Sequence, residues 1–202
     1  MQEISLNILD IVENSIRAGA RVVKIVLRDN QNAGTLVVTV ADDGRGMTPD
    51  ESSKAFDPFY TTLEGKRVGL GLPLLKESAE LTGGSVKIKS RSGSGTSLTA
   101  VFNRRHLDCP PLGDIVATLK TLLIGYPRVD FHYVHRLGRE EVVLDTKALS
   151  REYGREFRED IPAVCRVVDS LEPLLVHFKE HETDFETTLL RRAENRKIPA
   201  GD

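Results

Sequence analysis

The sequence predicts an α/β fold on three observations. Amphipathic stretches alternate with pairs of β-branched runs, ten of the sixteen glycines crowd between Gly34 and Gly95, and 202 residues suffice for one core, with or without an appendage. Ile4, Ile8, Ile11, Val12, Ser15 and Ile16 recur at helical spacing and Gly19 stands where a helix would stop, so about residues 3–18 form a helix. Val22 to Leu27 and Thr35 to Val40 are β-branched runs flanking Asp29-Asn30-Gln31-Asn32-Ala33-Gly34, hence two strands and a hairpin-like loop. A glycine loop follows, helical spacing returns over Leu72 to Leu81, and Gly83-Gly84 ends it. Ser85 to Ser90 and Ser97 to Phe102 read as another strand pair.

The character changes after Phe102, with a soft boundary near residue 105. Pro110-Pro111 punctuate the chain, Leu112 to Ile124 has helical character, and Val129 to Val134 with Glu141 to Leu144 form a further strand pair. The expected division is 1–105 as one module, 106–155 as an extension that completes its sheet, and 156–202 as a charged helical tail with a frayed end.

Composition removes several classes of function. With 28 basic and 30 acidic side chains, no field marks nucleic acid or an anionic membrane as an obligatory partner. Cys109 and Cys165 stand apart without a C-x-x-C or nearby His pairing, which argues against a disulfide framework or a zinc site and for a reducing cytoplasm. No run approaches the ~18 apolar residues of a membrane span, and residues 1–10 lack a basic start and apolar run, so neither secretion nor membrane spanning is expected.

Four segments carry candidate chemistry. Asp10 and Asn14 are four apart, which puts a carboxylate and an amide oxygen on one helix face; they form either a solvated face or a pair of ligands to a hydrated cation. Asp42-Asp-Gly44-Arg-Gly46-Met47 leaves a strand, and is either an Asp-Gly turn or a place where backbone passes close to a flat ligand and Asp42 accepts from its amine. Phe56-Asp-Pro-Phe59-Tyr60-Thr61-Thr62 is an aromatic cluster, in its simplest form a surface loop pinned by Phe56 and Phe59. Gly69-Leu70-Gly71 stands ahead of a helix, where free N–H groups favour phosphate, yet it fits neither the dinucleotide fingerprint nor a P-loop.

Taken together, in this order and spacing, these segments resemble the boxes of the GHKL ATP-binding superfamily of gyrase, heat-shock chaperone, histidine kinase and mismatch-repair ATPases. Glu13-Asn14-Ser15 with Ala18-Gly19-Ala20 is similar to the N box, Asp42 to Met47 to the first glycine box, Phe56 to Thr62 to the F box, Gly69 to Leu72 to the second glycine box, and Gly93 to Thr96 to the final glycine-Thr element. The resemblance covers about residues 5–102. It implies the Bergerat-type fold, an α+β two-layer sandwich with a mixed, mostly antiparallel sheet and helices on one face. It also implies ATP and Mg2+ as cofactors. Asn14 and Asp10 would hold the metal and serve the chemistry, and Asp42 would take the adenine amine beside Gly44, Gly46, Met47 and Phe59. Lys66, Arg67, Gly69, Leu70 and Gly71 would serve the phosphates, and Thr96 would support the adenine-side Asp.

Departures narrow the branch. Pro58-Phe59-Tyr60-Thr61 is similar to histidine kinases, whereas Ser15 and Ala18-Gly19-Ala20 look like mismatch-repair ATPases. The ATPase branches place Glu where Asp10 stands, and a carboxylate one methylene shorter reaches an attacking water poorly. With nine residues ahead of Asp10, the phosphoacceptor hairpin of sensor kinases is expected to be absent, and none of the five histidines stands in its acid-flanked helical setting. The expectation is a soluble, cytoplasmic, magnesium-dependent kinase module that transfers the γ-phosphoryl group to a separate protein. The alternatives are a slow ATPase and an ATP-sensing switch that regulates a partner by conformational change.

Overall fold

The structure is a computed structural model that describes residues 3–60, 70–176 and Phe178. Among them, six strands form one sheet in the order β3-β4-β2-β1-β5-β6. β1 (Val22–Asn30) and β2 (Thr35–Asp42) make the predicted hairpin, with β1 running three residues further than its apolar run. β3 (Ser85–Ser90) and β4 (Thr96–Asn103) form the second antiparallel pair, joined to the first through β2 and β4. β5 (Asp130–Leu137) lies parallel to β1, and β6 (Glu140–Asp145) pairs antiparallel with β5, so the later half of the chain widens the same sheet.

Alternation decides which face is covered. Ile88, Leu98, Val40, Ile25, Tyr133 and Leu144 stand in register across all six strands and belong to one core with α1 (Ile4–Arg17), α3 (Gly71–Leu81) and α4 (Ile115–Gly125). The neighbouring positions Lys24, Arg28, Lys87 and Lys89 are exposed. The architecture is therefore the two-layer α+β sandwich that the sequence predicts.

α1 buries Ile4, Ile8, Ile11, Val12 and Ser15, the positions of its helical periodicity. Its first N–H groups have no side-chain cap; instead Ile4 N and Ser5 N donate to the carbonyls of Pro111 and Leu112, so the proline segment serves as the helix's cap. α1 ends at Ala18, and Gly19 turns the chain at a φ of 81°. α2 (Pro49–Lys54) was not foreseen, because it buries nothing and has no apolar periodicity; a capping box between Thr48 and Glu51, with proline in the first turn, holds it. Beyond β6, α5 (Thr146–Tyr153) and α6 (Ile161–Asp169) are capped by Asp145 and Asp160, and α6 packs Val164 and Val168 inward. No helix among the described residues is long and apolar enough to cross a membrane.

Candidate functional site

The site is built at the end of β2, where the chain leaves the sheet. Asp42, Thr96 and Ser90 stand opposite one another on β2, β4 and β3, one row beyond the last core row and on the same helix-covered face. α1 closes the row from above. Ser15, buried on α1, donates its hydroxyl to Oδ2 of Asp42 at 2.8 Å. Oδ1 of the same carboxylate accepts from Gly44 N at 2.9 Å and Thr96 N at 3.3 Å. Three donors from three segments thus fix one half-buried acid at the strand end.

The glycine box is tied on both sides. Arg45 N donates to the carbonyl of Ala18 at the end of α1, and Gly93 N donates to the carbonyl of Arg45. Met47 N donates to Ser90 Oγ at 2.8 Å. Gly46 has a φ of 64°, and a Cβ there would meet the Arg91 carbonyl oxygen at 2.0 Å; a Cβ on Gly44 would lie 3.0 Å from the Ala18 carbonyl oxygen. Close packing of backbone on backbone is what these two glycines serve in this structure. Asp43 Oδ1 accepts from Arg21 N and Val22 N at 2.7 and 2.8 Å, anchoring the box to the start of β1. Partial burial works to raise the pKa of Asp43, but these backbone bonds outweigh it and hold the carboxyl below its usual range.

Asn14 and Asp10 lie on α1, with Asn14 exposed and Asp10 half-buried. Asn14 Oδ1 accepts from Arg17 Nη1 at 2.8 Å, and Arg17 Nη2 pairs with Glu13 at 2.6 Å. Asp10 faces the start of α3: a Cβ on Gly71 would lie 3.7 Å from Asp10 Oδ2. Leu70, half-exposed, is the N-cap of α3 and supplies no side-chain bond, so the first N–H groups of α3 have no side-chain cap from it.

Other expected positions fall apart from this cluster. Phe59 is 81% exposed and does not pin its loop in the core, and the half-buried Phe56 has Lys76 Nζ 5.3 Å from its ring centroid. Lys66, Arg67 and Gly69, with Thr61 and Thr62 of the aromatic segment, lie outside the described residues, as do His177, His181 and the tail from 179. Among the described residues no three His, Cys, Asp or Glu side chains gather as a metal-binding group. The sequence reading gave Ser90 no role and Ser15 only a place in a box. Their signal is parity: Ser90 is two residues beyond Ile88 on one strand face, and Ser15 is four beyond Ile11 on one helix face.

The candidate site residues from Asp10 to Thr96 fall inside one recognised segment. Residues 3–106 match the family described as histidine kinase-, DNA gyrase B-, and HSP90-like ATPase. The sensor histidine kinase ZraS of Salmonella typhi is 34% identical over 94 residues, 46% of this chain and 20% of that protein. Sporulation kinase C of Bacillus subtilis (strain 168) is 31% identical over 94 residues, 46% of this chain and 22% of that protein. The chain thus spans about a fifth of the length of these relatives. Among solved structures, the crystal structure of the N-terminal domain of a DNA repair protein superposes with a TM-score of 0.51 at 14% identity, covering 77% of this chain and 58% of that one, a likeness of fold. With more than half its length matched and the strand-end acid, the glycine boxes and the N-box helix inside that match, the chain belongs to the ATP-binding family of histidine kinase-, DNA gyrase B-, and HSP90-like ATPases.

Proposed function

We propose that this chain is a histidine-kinase-like module that binds ATP with magnesium in the cytoplasm and transfers the γ-phosphoryl group to a separate protein. The observation that carries the proposal is the Asp42 carboxylate, held by Ser15, Gly44 and Thr96 at a strand end beside the α1 face that bears Asn14 and Asp10. With Oδ1 holding two donors and Oδ2 one, this carboxylate keeps a lone pair on Oδ2 as an acceptor for an exocyclic amine. Asp42 takes the adenine amine, with Gly44, Gly46, Met47 and Phe59 around the base and Thr96 supporting the acid.

Asn14 and Asp10 offer hard oxygen donors one helical turn apart, a set that fits magnesium, which is usually held by one or two protein oxygens together with phosphates and water. When bound, the metal would neutralise charge on the phosphates during transfer. Arg17 holds the Asn14 amide oxygen through one of its two lone pairs, which leaves the other for the metal. Leu70 and Gly71 bring the N-terminus of an eleven-residue helix to the phosphates, and the resemblance assigns Lys66, Arg67 and Gly69 to the same phosphates. The relatives named as kinases support phosphoryl transfer over simple hydrolysis.

A second reading, a slow ATPase or an ATP-sensing switch on a partner, is favoured by the identity of one residue: by the resemblance, Asp10 stands where a longer Glu would activate water. Incubation of the chain with γ-labelled ATP and cell lysate separates the three. Label on a protein band supports the kinase, label in free phosphate supports the ATPase, and retention in ATP supports the sensor.

A further inference from the structure

We propose that the sheet face turned away from α1, α3 and α4 is a docking surface for a partner protein, which presents to it an acidic amphipathic helix laid along a trough of small residues between two rails of cations. The inference stands apart from the nucleotide reading, whose strand residues Asp42 and Thr96 lie on the helix-covered face.

Register and alternation place the rails. On this face β3 carries Lys87 and Lys89 and β1 carries Lys24 and Arg28, all four exposed. Between them β4 carries Ser97, Thr99 and Val101, and β2 carries Ala41, Thr39 and Val37, all half-buried and none bulkier than valine. Lys89, Ser97, Ala41 and Lys24 form one row across the four strands, and Lys87, Thr99, Thr39 and Val26 form the next. The hydroxyls of Thr39 and Thr99 lie 3.3 Å apart and bond each other, so the floor answers its own polar groups.

No acid stands in these rows, and none of the four cations has an ion pair among the described residues. The chain as a whole carries a net charge of −2, so the rails are a local segregation of charge that the composition hides. Beyond β1 the pattern closes. His132 and Arg136 on β5 already face Asp145 and Glu141 of β6, at 3.0 and 2.9 Å.

Charge complementarity asks for an occupant with acids along both flanks, and shape asks for a helix. The rails are three strand spacings apart, about 14 Å, and a helix with its side chains is about 10–12 Å across. Strand hydrogen bonds lie in the plane of the sheet, so its face offers nothing to an extended backbone, whereas a helix bonds its own. The apolar stripe of such a helix rests on Val37, Ala41 and Val101 while its acids reach the rails. A single-stranded nucleic acid would need aromatic rings to stack on, and the trough holds none. A second copy, joined two-fold through this face, would set like rails against like.

The test is a fluorescent synthetic helical peptide with an alanine-leucine stripe flanked on both sides by glutamates, titrated with the full chain by anisotropy without nucleotide. The parent is expected to bind it, more weakly as salt rises. Lys24→Glu and Lys89→Glu, which face each other across the trough, should each lower the affinity by about threefold to tenfold, since an exposed ion pair is lost and a repulsion gained. Lys120→Glu, on α4 in the helix layer, makes the same change of charge and should leave the affinity within about twofold. Where a reversal fails to fold, Lys24→Gln or Lys89→Gln takes its place, with a smaller loss in the same direction. A peptide of identical composition with its glutamates spread around the whole helix should bind about tenfold more weakly or worse. No binding by the parent, an equal loss in Lys120→Glu, or equal affinity for the two peptides overturns the proposal. Tighter binding of an oligothymidylate through the same lysines overturns it as well, and makes the trough a nucleic-acid site.

Discussion

Arg17 donates from Nη1 to the amide oxygen of Asn14 at 2.8 Å, one turn further along the same exposed helix face. The oxygen offered to magnesium thus carries one donor and keeps a second lone pair. Asn14→Ala is expected to abolish the magnesium dependence of ATP affinity while adenosine binding stays near the parent's. Titrations with and without magnesium check this; an affinity in the variant that still rises with magnesium as in the parent would reduce Asn14 to a helix residue.

By the resemblance, Asp10 stands where a longer Glu would be expected of an ATPase, and its side chain lies beside the start of α3. Basal hydrolysis is expected to be slow, well below ~1 s⁻¹, and Asp10→Glu to raise it without tightening ATP binding. Steady-state phosphate release decides between the accounts. A fast parent that Asp10→Asn abolishes would make Asp10 a competent base and the chain an ATPase.

How far the sequence reveals this fold depends on whether the signal is local. α1, β1 and β2 are legible because Ile4, Ile8, Ile11 and Val12 or Ile25, Val38 and Val40 bury at the period of their own element. The capping box of α2 is also local, in Thr48-Pro49-Asp50-Glu51, but without apolar residues it gives no periodic signal. The parallel pairing of β5 on β1 joins Val22 to Asp130, a choice of partner that neither segment encodes alone. The candidate site divides the same way. Asp42, Gly44 and Gly46 announce themselves as a motif, whereas Ser90 acquires meaning only when Met47, 43 residues earlier, is folded against it. Phe59 misleads, since an aromatic next to Phe56 reads as core and yet stands in solvent.

His135 shows a further consequence of burial that sequence does not reveal. It is 2% exposed, its ring stands edge-on to Phe178 with centroids 5.0 Å apart, and Nδ1 lies 3.3 Å from the Tyr133 hydroxyl. Desolvation, and secondarily the Arg104 guanidinium, push its pKa down to about 4. The unfolded chain takes up this proton near pH 6.5 and the folded chain does not, so stability is whole above about pH 6.5 and falls as pH drops toward about 4, by about 3 kcal/mol for this group. Asp29 acts with the opposite sign: burial raises its pKa despite the Arg104 ion pair at 2.8 Å, which favours the folded state as pH falls. The comparison is therefore made against His135→Gln, whose urea midpoint should fall less than the parent's between pH 7 and pH 4.5. Parallel curves for the two proteins would contradict the assignment.

The central claim is that Asp42 reads the adenine of a bound nucleotide, and calorimetric titration of the parent and Asp42→Asn with ATP and ADP in magnesium tests it most directly. ATP and ADP share the adenine amine, so both should weaken together in the folded variant, by about tenfold to a hundredfold, as expected for one charge-assisted hydrogen bond. A folded Asp42→Asn that binds both nucleotides as tightly as the parent, or a parent that binds neither, would contradict the account.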